Sequence, residues 1–421
     1  MITKIKMQFR DGKHFLKFSL VSLFGQAIGA LIPFGIAKIL NPEGFGIYSL
    51  SMIIIFFFVS SLISVSQTPF IVYSNQERQK TGRINKTFSI QLIFLLLSIV
   101  LFVIMFVLFK NFILNFIESK DTNLLFFMFL AFVGISLKTF FINIFLCFNK
   151  KLLYSVVELF YYSFCAILVL LSYLGGVFSL NFVLLTYFLS ALIVIILYLR
   201  KVNVSLFFPF IFDKDQFVAI FNFTKWQVFG LVAAYFISWG GSLILKYFVS
   251  IEQVGVYSLG YTFFNGFITL TFFINVYFLP FISANINNKK VIKDYLYNKR
   301  PKLFLLGSFL LILSGVIIPF GIDLIYGKEY QFAKNVFWIL LVGNFVALYN
   351  VFYTPLLNSL ERFKFYQISN IIHLFLSLIL TLFLVPLFGI LGAAIATTIA
   401  YFAKMAIFEV YFRIKLKKMI E

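Results

Sequence analysis

The sequence predicts an all-α integral membrane protein with about twelve transmembrane helices in two six-helix bundles, related by a pseudo-two-fold axis along the membrane normal. Three observations lead to this fold. Of 421 residues, 62% are hydrophobic and only 12% are charged, about half the ~25% typical of soluble proteins. Twelve apolar runs are long enough, at about 20 residues, to cross a bilayer core. An internal repeat relates the two halves of the chain.

The apolar runs are bounded by polar residues or by Gly and Pro, and each must satisfy its backbone hydrogen bonds within a helix. The predicted spans are 15–40, 47–70, 88–109, 123–148, 152–173 and 180–198 in the first half, and 226–249, 254–281, 303–322, 332–356, 365–386 and 389–412 in the second. We therefore expect an N-terminal bundle over 1–199, a cytoplasmic interfacial linker over 200–225 and a C-terminal bundle over 226–421.

The net charge of +20 would suggest nucleic-acid binding in a soluble protein, but here the basic residues lie between apolar runs, so we expect no nucleic-acid partner. The alternate loops of one side, with the two termini, hold 27 of the 35 Lys and Arg residues. The charges in the loops of the other side sum to zero. Cytoplasmic loops collect Lys and Arg, so the pattern predicts a multi-pass membrane protein with both termini cytoplasmic. The first apolar run is too long for a signal peptide and is expected to be retained.

The repeat appears when the chain is compared with itself at an offset of 209 residues. Five residues at the loop and start of span 2 then match the loop and start of span 8: Glu43, Gly46, Tyr48, Ser49 and Leu50 fall on Glu252, Gly255, Tyr257, Ser258 and Leu259. The same offset places Gly134 on Gly343, and an offset of 208 places Lys38 on Lys246. Six spans in each half give both halves one orientation, so the repeat is parallel.

Spans 1 and 7 also carry small or polar residues at helical spacing, namely Ser22, Gln26, Gly29 and Pro33 in one and Gly230, Ala234, Ser238 and Gly241 in the other. Small residues allow two helices to approach closely, which is one interpretation of these stripes. The other is a helix face that lines a water-filled cavity, with a bend at Pro33.

Four segments carry a resemblance to a known family: LNPEGFGIYSL from Leu40, its echo EQVGVYSL from Glu252, IYGKEYQFAKNVFWIL from Ile325, and LVPLFGILGAAIATTIAYF from Leu384. Together they resemble bacterial polysaccharide flippases of O-antigen type, in the multidrug/oligosaccharidyl-lipid/polysaccharide exporter superfamily. The resemblance extends over essentially the whole chain. It implies two six-helix bundles around a central cavity, and transport of undecaprenyl-diphosphate-linked oligosaccharides from the inner to the outer leaflet.

No catalytic, nucleotide-binding or metal-binding pattern accompanies these segments, so we expect neither an enzyme nor a bound cofactor or metal. The chain has two histidines and two cysteines. Cys147 and Cys165 lie in separate apolar runs and are predicted to be small packing residues.

Charged residues within spans are costly and are therefore candidates for function. Lys138 lies fifteen residues into span 4, roughly 22 Å along the helix, too deep to reach either interface easily. Lys404 lies nearer the inner surface, and Lys38 and Lys246 lie near the outer ends of spans 1 and 7. With Gln26, these lysines are the predicted contacts for the carrier diphosphate or the cavity. The alternatives are pairing within a bundle for Lys138 and snorkelling to the interface for the others.

No arginine is expected to contribute, because all seven fall in predicted cytoplasmic segments: Arg10, Arg78, Arg83, Arg200, Arg300, Arg362 and Arg413. Glu158 in span 5 and His373 in span 11 are candidates for coupling transport to H⁺ or Na⁺. A helix-pairing role for Glu158 and a packed neutral imidazole for His373 are the alternatives.

The resemblance thus implies a flippase for lipid-linked oligosaccharides in the bacterial inner membrane, and the two-bundle repeat favours transport by alternating access. Its expected partners are that substrate, membrane lipids, H⁺ or Na⁺, and other polysaccharide assembly proteins. An ion-coupled small-molecule exporter of the same superfamily is the first alternative, although acidic residues in the spans would suit cationic drugs better than lysines do. A membrane glycan polymerase is the second alternative, and the short outer loops argue against it.

Overall fold

The computed structural model describes residues 2–360 and 362–416, with side chains from Lys17 onward apart from some positions within the helices. Sixteen α-helices and short π and 3-10 turns make up this part of the chain, and it contains no strand. The helices of the first half are α1 (Ile2–Ile39), α2 (Pro42–Phe58), α3 (Gln67–Thr81), α4 (Asn85–Leu108), α5 (Lys110–Phe116), α6 (Asn123–Cys147), α7 (Lys151–Leu174) and α8 (Leu180–Leu199). Those of the second half are α9 (Lys214–Leu245), α10 (Ile251–Ala284), α11 (Lys289–Asp294), α12 (Arg300–Tyr326), α13 (Ala333–Val351), α14 (Thr354–Ser359), α15 (Phe363–Phe388) and α16 (Ile390–Tyr411).

The all-helical membrane fold is confirmed. Eleven helical segments within the described residues are long and apolar enough to cross a membrane. They correspond to every predicted span except the eighth, and α10, a helix of 34 residues, occupies that position. The first and last residues of the chain, on which the predicted location of the termini depends, lie outside the described residues.

Span 2 is continuous from Pro42 to Thr81, but its middle is not α-helical. A π-helical turn at Val59–Ile63 and a 3-10 turn at Ser64–Ser66 join α2 to α3. The Ser98 hydroxyl of α4 shares its proton between the Phe94 carbonyl of its own helix, at 2.7 Å, and the Leu62 carbonyl within the π turn, at 3.3 Å. A side chain bonded to a backbone carbonyl in this way is a recognised cause of helix distortion.

The chain divides into two compact units, of which unit 1 comprises Met1–Ile39 and Leu50–Val232. Within it α6 packs on α8, and α7 packs on both α1 and α8. Gly134 makes the α6–α8 contact possible, because a Cβ at this position would lie only 2.7 Å from the Tyr187 carbonyl oxygen. Close helix approach at glycine is a common way to gain packing energy in membranes.

Unit 2 comprises Leu40–Ser49 and Ala233–Glu421. Within it α13 packs on α16 and α10, and α15 packs on α16. Gly343 of α13 faces α16, where a Cβ would lie 3.2 Å from the Thr398 hydroxyl oxygen. Gly134 and Gly343 therefore hold equivalent positions in the two units, which agrees with the repeat in the sequence.

Residues 200–225 are the expected cytoplasmic interfacial linker, and α9 begins within them, at Lys214. The Asp213 carboxylate caps this helix by accepting from the Gln216 amide at 3.1 Å, and no Gly or Pro interrupts the residues that follow. Lys86 of α4 also pairs with Asp213 at 2.7 Å. This hydrogen bond from Lys86 is the main reason why the pKa of Asp213 is lowered.

Candidate functional site

Lys138 lies inside unit 1, on the face of α6 that meets α7. Its side chain is buried, with 8% of the residue exposed. Its Nζ is 4.9 Å from the ring centre of Tyr161 and 5.3 Å from that of Tyr162. Aromatic faces attract a cation, so the structure places the Lys138 side-chain nitrogen beside the rings of two tyrosines.

Glu158 of α7 belongs to the same region. It is also 8% exposed, and its Oε2 is buried without a hydrogen-bond partner among the described residues. Glu158 lies three residues before Tyr161 and four before Tyr162 on α7, so it shares a helix face with the two tyrosines that contact Lys138. The structure therefore brings together two residues that the sequence analysis proposed for different roles, one for substrate and one for ion coupling.

Gln26 of α1 lies where α1 packs on α7. Gly25 faces the Leu159 backbone and Gly29 faces the Tyr162 ring, with Cβ positions 3.1 and 3.0 Å from the nearest atoms. These two glycines thus serve helix packing. The Gln26 side chain is half-buried, and its Oε1 lacks a hydrogen-bond partner within the described structure. Tyr162 contacts α1 on one side and Lys138 on the other, so the three helices meet around this tyrosine.

A second group of polar residues lies inside unit 2, between α15 and α16. Lys404 Nζ donates to Asn370 Oδ1 at 2.8 Å and lies 5.5 Å from the Tyr366 ring centre. His373 is buried, and its Nδ1 is 3.1 Å from the Ala400 carbonyl oxygen. A carbonyl can only accept, so Nδ1 carries the proton. Lys404 bonds to Asn370, three residues before His373 on α15, and His373 bonds to Ala400, four residues before Lys404 on α16, so the structure places these two predicted residues together as well.

Lys38 and Lys246 differ in burial, although the repeat places them at equivalent positions. Lys38, in the last turn of α1, is exposed. Lys246, just after the end of α9, is buried with 9% exposed. Simple snorkelling to an interface accounts for an exposed lysine but not for a buried one.

A third group was missed by sequence analysis. Arg300 was assigned to a cytoplasmic loop, but it begins α12 and is 8% exposed. Its guanidinium lies 4.2 and 4.0 Å from the ring centres of Tyr349 and Tyr353, and 3.8 Å from the Glu409 carboxylate. Both tyrosine hydroxyls donate to Glu409 Oε1. An acidic residue within an apolar span, as at Glu409, was the signal that could have revealed this group.

The chemistry of these groups is that of charge and hydrogen bonding. Two of the three groups contain a lysine beside aromatic rings. The positive charge of a lysine suits an anion such as a phosphate. Within the described residues, no cluster of three or more His, Cys, Asp or Glu side chains is arranged to hold a metal ion.

Residues 12–286 match the sequence profile described as polysaccharide biosynthesis protein. A relative from Haloferax volcanii, named probable low-salt glycan biosynthesis flippase Agl15, is 26% identical over 195 residues, which is 44% of this chain. The match spans 39% of that relative's length.

The fold is similar to that of solved transporters. The lipid II flippase MurJ, in an inward closed conformation, aligns with a TM-score of 0.75 at 15% identity, covering 94% of this chain and 87% of that one. A multidrug resistance MATE family transporter of the MOP superfamily, in an inward-facing conformation, aligns with a TM-score of 0.74 at 12% identity, covering 94% and 95%. At these identities the likeness concerns the fold.

Proposed function

The chain belongs to the polysaccharide biosynthesis protein family, and from this premise we propose that it is a flippase for lipid-linked glycan precursors. Its substrate in this proposal is an oligosaccharide linked to undecaprenyl diphosphate, moved from the cytoplasmic to the outer leaflet for surface polysaccharides of the O-antigen type. The flippase named among its relatives and the fold shared with a lipid II flippase support the proposal.

The observation that carries the substrate assignment is Lys138. A buried ammonium in the middle of a membrane helix is expensive, and such groups are retained where they have a task. Within the described residues Lys138 makes no ion pair, and its neighbours are tyrosine rings. We assign to it the diphosphate of the carrier lipid, with Gln26 beside it in unit 1. Lys404, Lys246 and Lys38 are proposed as further contacts along the path.

Coupling to H⁺ or Na⁺ is proposed at Glu158 and His373. Glu158 supports this best, because a buried carboxylate oxygen without a hydrogen-bond donor is a place where a proton or cation would bind. Its proximity to Lys138 would let substrate and ion influence each other through charge. Alternating access is the proposed mode of transport.

The proposed location is the inner membrane of a bacterium, with both termini cytoplasmic. The alternating distribution of Lys and Arg among the loops supports this orientation. Membrane lipids and other polysaccharide assembly proteins are proposed partners. The protein acts as a transporter and not as an enzyme in this proposal.

An ion-coupled exporter of small molecules is the second candidate, and the fold shared with multidrug transporters favours it. Such exporters need counter-charges for cationic drugs, whereas Lys138 offers positive charge. Resistance of cells to cationic dyes would separate the two candidates: an exporter raises it, and a flippase leaves it unchanged.

The decisive experiment deletes the gene and labels lipid-linked oligosaccharides from each side of the membrane. The proposal expects these lipids to accumulate on the cytoplasmic side. Accumulation on the outer side alone would indicate a polymerase, and no accumulation would contradict the proposed substrate. Re-expression of the wild-type chain is the control.

A further inference from the structure

Residues 203–213, which run from the end of α8 to the start of α9, lie against the corner where α3 turns into α4. We call this segment the strap. Hydrogen bonds to its backbone hold it there. The Ile84 amide donates to the Leu206 carbonyl at 3.2 Å, and the Asn85 side chain donates to the Pro209 carbonyl at 2.9 Å. The strap is thus fixed within unit 1.

Further contacts continue along the strap. The Ile211 amide donates to the Ser89 hydroxyl at 3.1 Å, and Pro209 has no amide proton to satisfy. The buried Phe207 ring stacks on Phe88, with ring centres 4.3 Å apart. Unpaired backbone groups are what exclude an irregular segment from apolar surroundings. Because these groups are bonded within the protein, the strap can lie where water is scarce.

Three phenylalanines of the strap remain exposed. Phe208, Phe210 and Phe212 are 47%, 53% and 57% exposed, and the ring centres of the first two lie 4.6 Å apart. In water such rings form an apolar patch, and patches of this kind mark contacts with a partner or a membrane. Phenylalanine is favourable at the boundary between lipid headgroups and acyl chains.

The helix that follows shows which partner the patch meets. Val218, Phe221 and Phe229 of α9 are exposed and lie on one side of the helix. The segment Lys214–Leu245 is long and apolar enough to cross a membrane, and the exposed apolar side of such a span faces lipid. Because α9 begins directly after the strap, the patch continues into a lipid-facing surface, which favours the membrane over a soluble protein.

The charges around the patch are basic. Lys201 precedes the strap and Lys214 follows it, and both are exposed. The strap contains one acidic residue, Asp213, which is paired with Lys86. Exposed lysines beside an apolar insertion suit the anionic headgroups of a membrane surface.

We propose that the strap is an interfacial anchor. Phe208, Phe210 and Phe212 insert at the boundary between headgroups and acyl chains of the cytoplasmic leaflet, and Lys201 and Lys214 contact anionic headgroups. The anchor sets the depth at which α9 enters the bilayer, because this helix begins one residue after the strap. The inference is independent of the substrate that the protein moves.

Insertion is tested with nitroxide labels on the full chain in liposomes. Phe208→Cys and Phe212→Cys are compared with Lys80→Cys, at an exposed position of α3, and with Phe229→Cys on the lipid-facing side of α9. The two native cysteines are buried, and the wild-type chain gives the background. Collisions of each label with oxygen, which concentrates in lipid, and with a water-soluble nickel complex are measured by electron paramagnetic resonance.

We expect the ratio of oxygen to nickel collisions at Phe208→Cys and Phe212→Cys to exceed that at Lys80→Cys by about threefold or more and to approach that at Phe229→Cys. A ratio equal to that of Lys80→Cys would overturn the inference, because the strap would then face water. Low collision rates with both reagents would also overturn it, and would indicate that a protein covers the strap.

The contact of the lysines with headgroups is tested by lipid composition. The Phe208→Cys label is measured in phosphatidylcholine alone and with about one third phosphatidylglycerol, and we expect the anionic lipid to raise the collision ratio about twofold. Lys201→Gln/Lys214→Gln should abolish this rise. Lys289→Gln/Lys290→Gln, which removes two exposed lysines of unit 2, is the matched control and should keep it. No rise in the parent protein, or a rise that persists without Lys201 and Lys214, would refute the headgroup contact.

Discussion

Gly46 and Gly255 lie against each other where the first turns of α2 and α10 cross in unit 2. A Cβ on Gly255 would lie 2.9 Å from the Gly46 amide nitrogen and would overlap the Pro42 carbonyl oxygen. A Cβ on Gly46 would overlap the Ile251 carbonyl oxygen. The two glycines are also equivalent in the repeat, so each half of the sequence contributes the same residue to one contact.

We predict that Gly46→Ala and Gly255→Ala each destabilise the protein by about 1–3 kcal/mol, because the added methyl meets backbone atoms that cannot move aside. Thermal unfolding in detergent measures this effect. Gly266→Ala, which is also in α10, is the matched control. A Cβ there would have no described atom within 4 Å apart from the backbone of its own helix. If Gly266→Ala were as unstable as the two variants, the loss of stability would come from replacing a helical glycine and not from the contact between α2 and α10.

The second prediction concerns Lys138. Replacement by Gln keeps much of the side-chain length but removes the charge, and we expect transport of the complete substrate to fall by about 10- to 100-fold. Transport in proteoliposomes is measured beside the amount of protein in the membrane. Lys151→Gln, an exposed lysine at the start of α7, is the control and should transport normally. Normal transport by Lys138→Gln would refute its assignment to the diphosphate.

The third prediction concerns the ion pair of Arg300 and Glu409. Glu409→Leu leaves the buried guanidinium without its carboxylate and should cost about 3–5 kcal/mol. The double variant Arg300→Leu/Glu409→Leu should be more stable than the single one, because no uncompensated charge remains. Unfolding in detergent tests both. A double variant less stable than Glu409→Leu would show that Arg300 stabilises unit 2 chiefly through its stacking on the two tyrosines.

The fourth prediction concerns pH. The pKa of Asp213 is lowered by the hydrogen bond from Lys86, so its contribution to stability is present above its usual pKa of about 3.9 and is lost as pH falls through the lowered value. Asp213→Asn should therefore be less stable than the wild type at neutral pH, with the difference disappearing in strong acid. Unfolding midpoints measured across pH test this.

Asp215→Asn, at an exposed position two residues further on, is the control and should lose less stability at neutral pH than Asp213→Asn. A difference between the Asp213→Asn variant and the wild type that persists in strong acid would assign the effect to the helix cap alone.

The spans could be predicted from the sequence because bilayer thickness and backbone hydrogen bonding fix their length and composition. The partners of the buried charged residues could not be predicted from the sequence. Which helix face meets another depends on packing between distant segments, so Tyr162 beside Lys138 and Asn370 beside Lys404 appear only in the structure. Arg300 was missed because basic residues at span ends were all attributed to orientation. The early start of α9 was missed because the capping role of Asp213 was not recognised within a linker rich in aromatic residues.

The π turn of span 2 also imposes an order on biogenesis. The Ser66 hydroxyl accepts a hydrogen bond from Gln91 of α4, which follows 25 residues later in the chain, and the Leu62 carbonyl is 3.3 Å from the Ser98 hydroxyl, 36 residues later. Span 2 thus leaves the ribosome before its partners have been synthesised. We therefore expect span 2 to reach its final shape only after α4 has entered the membrane beside it.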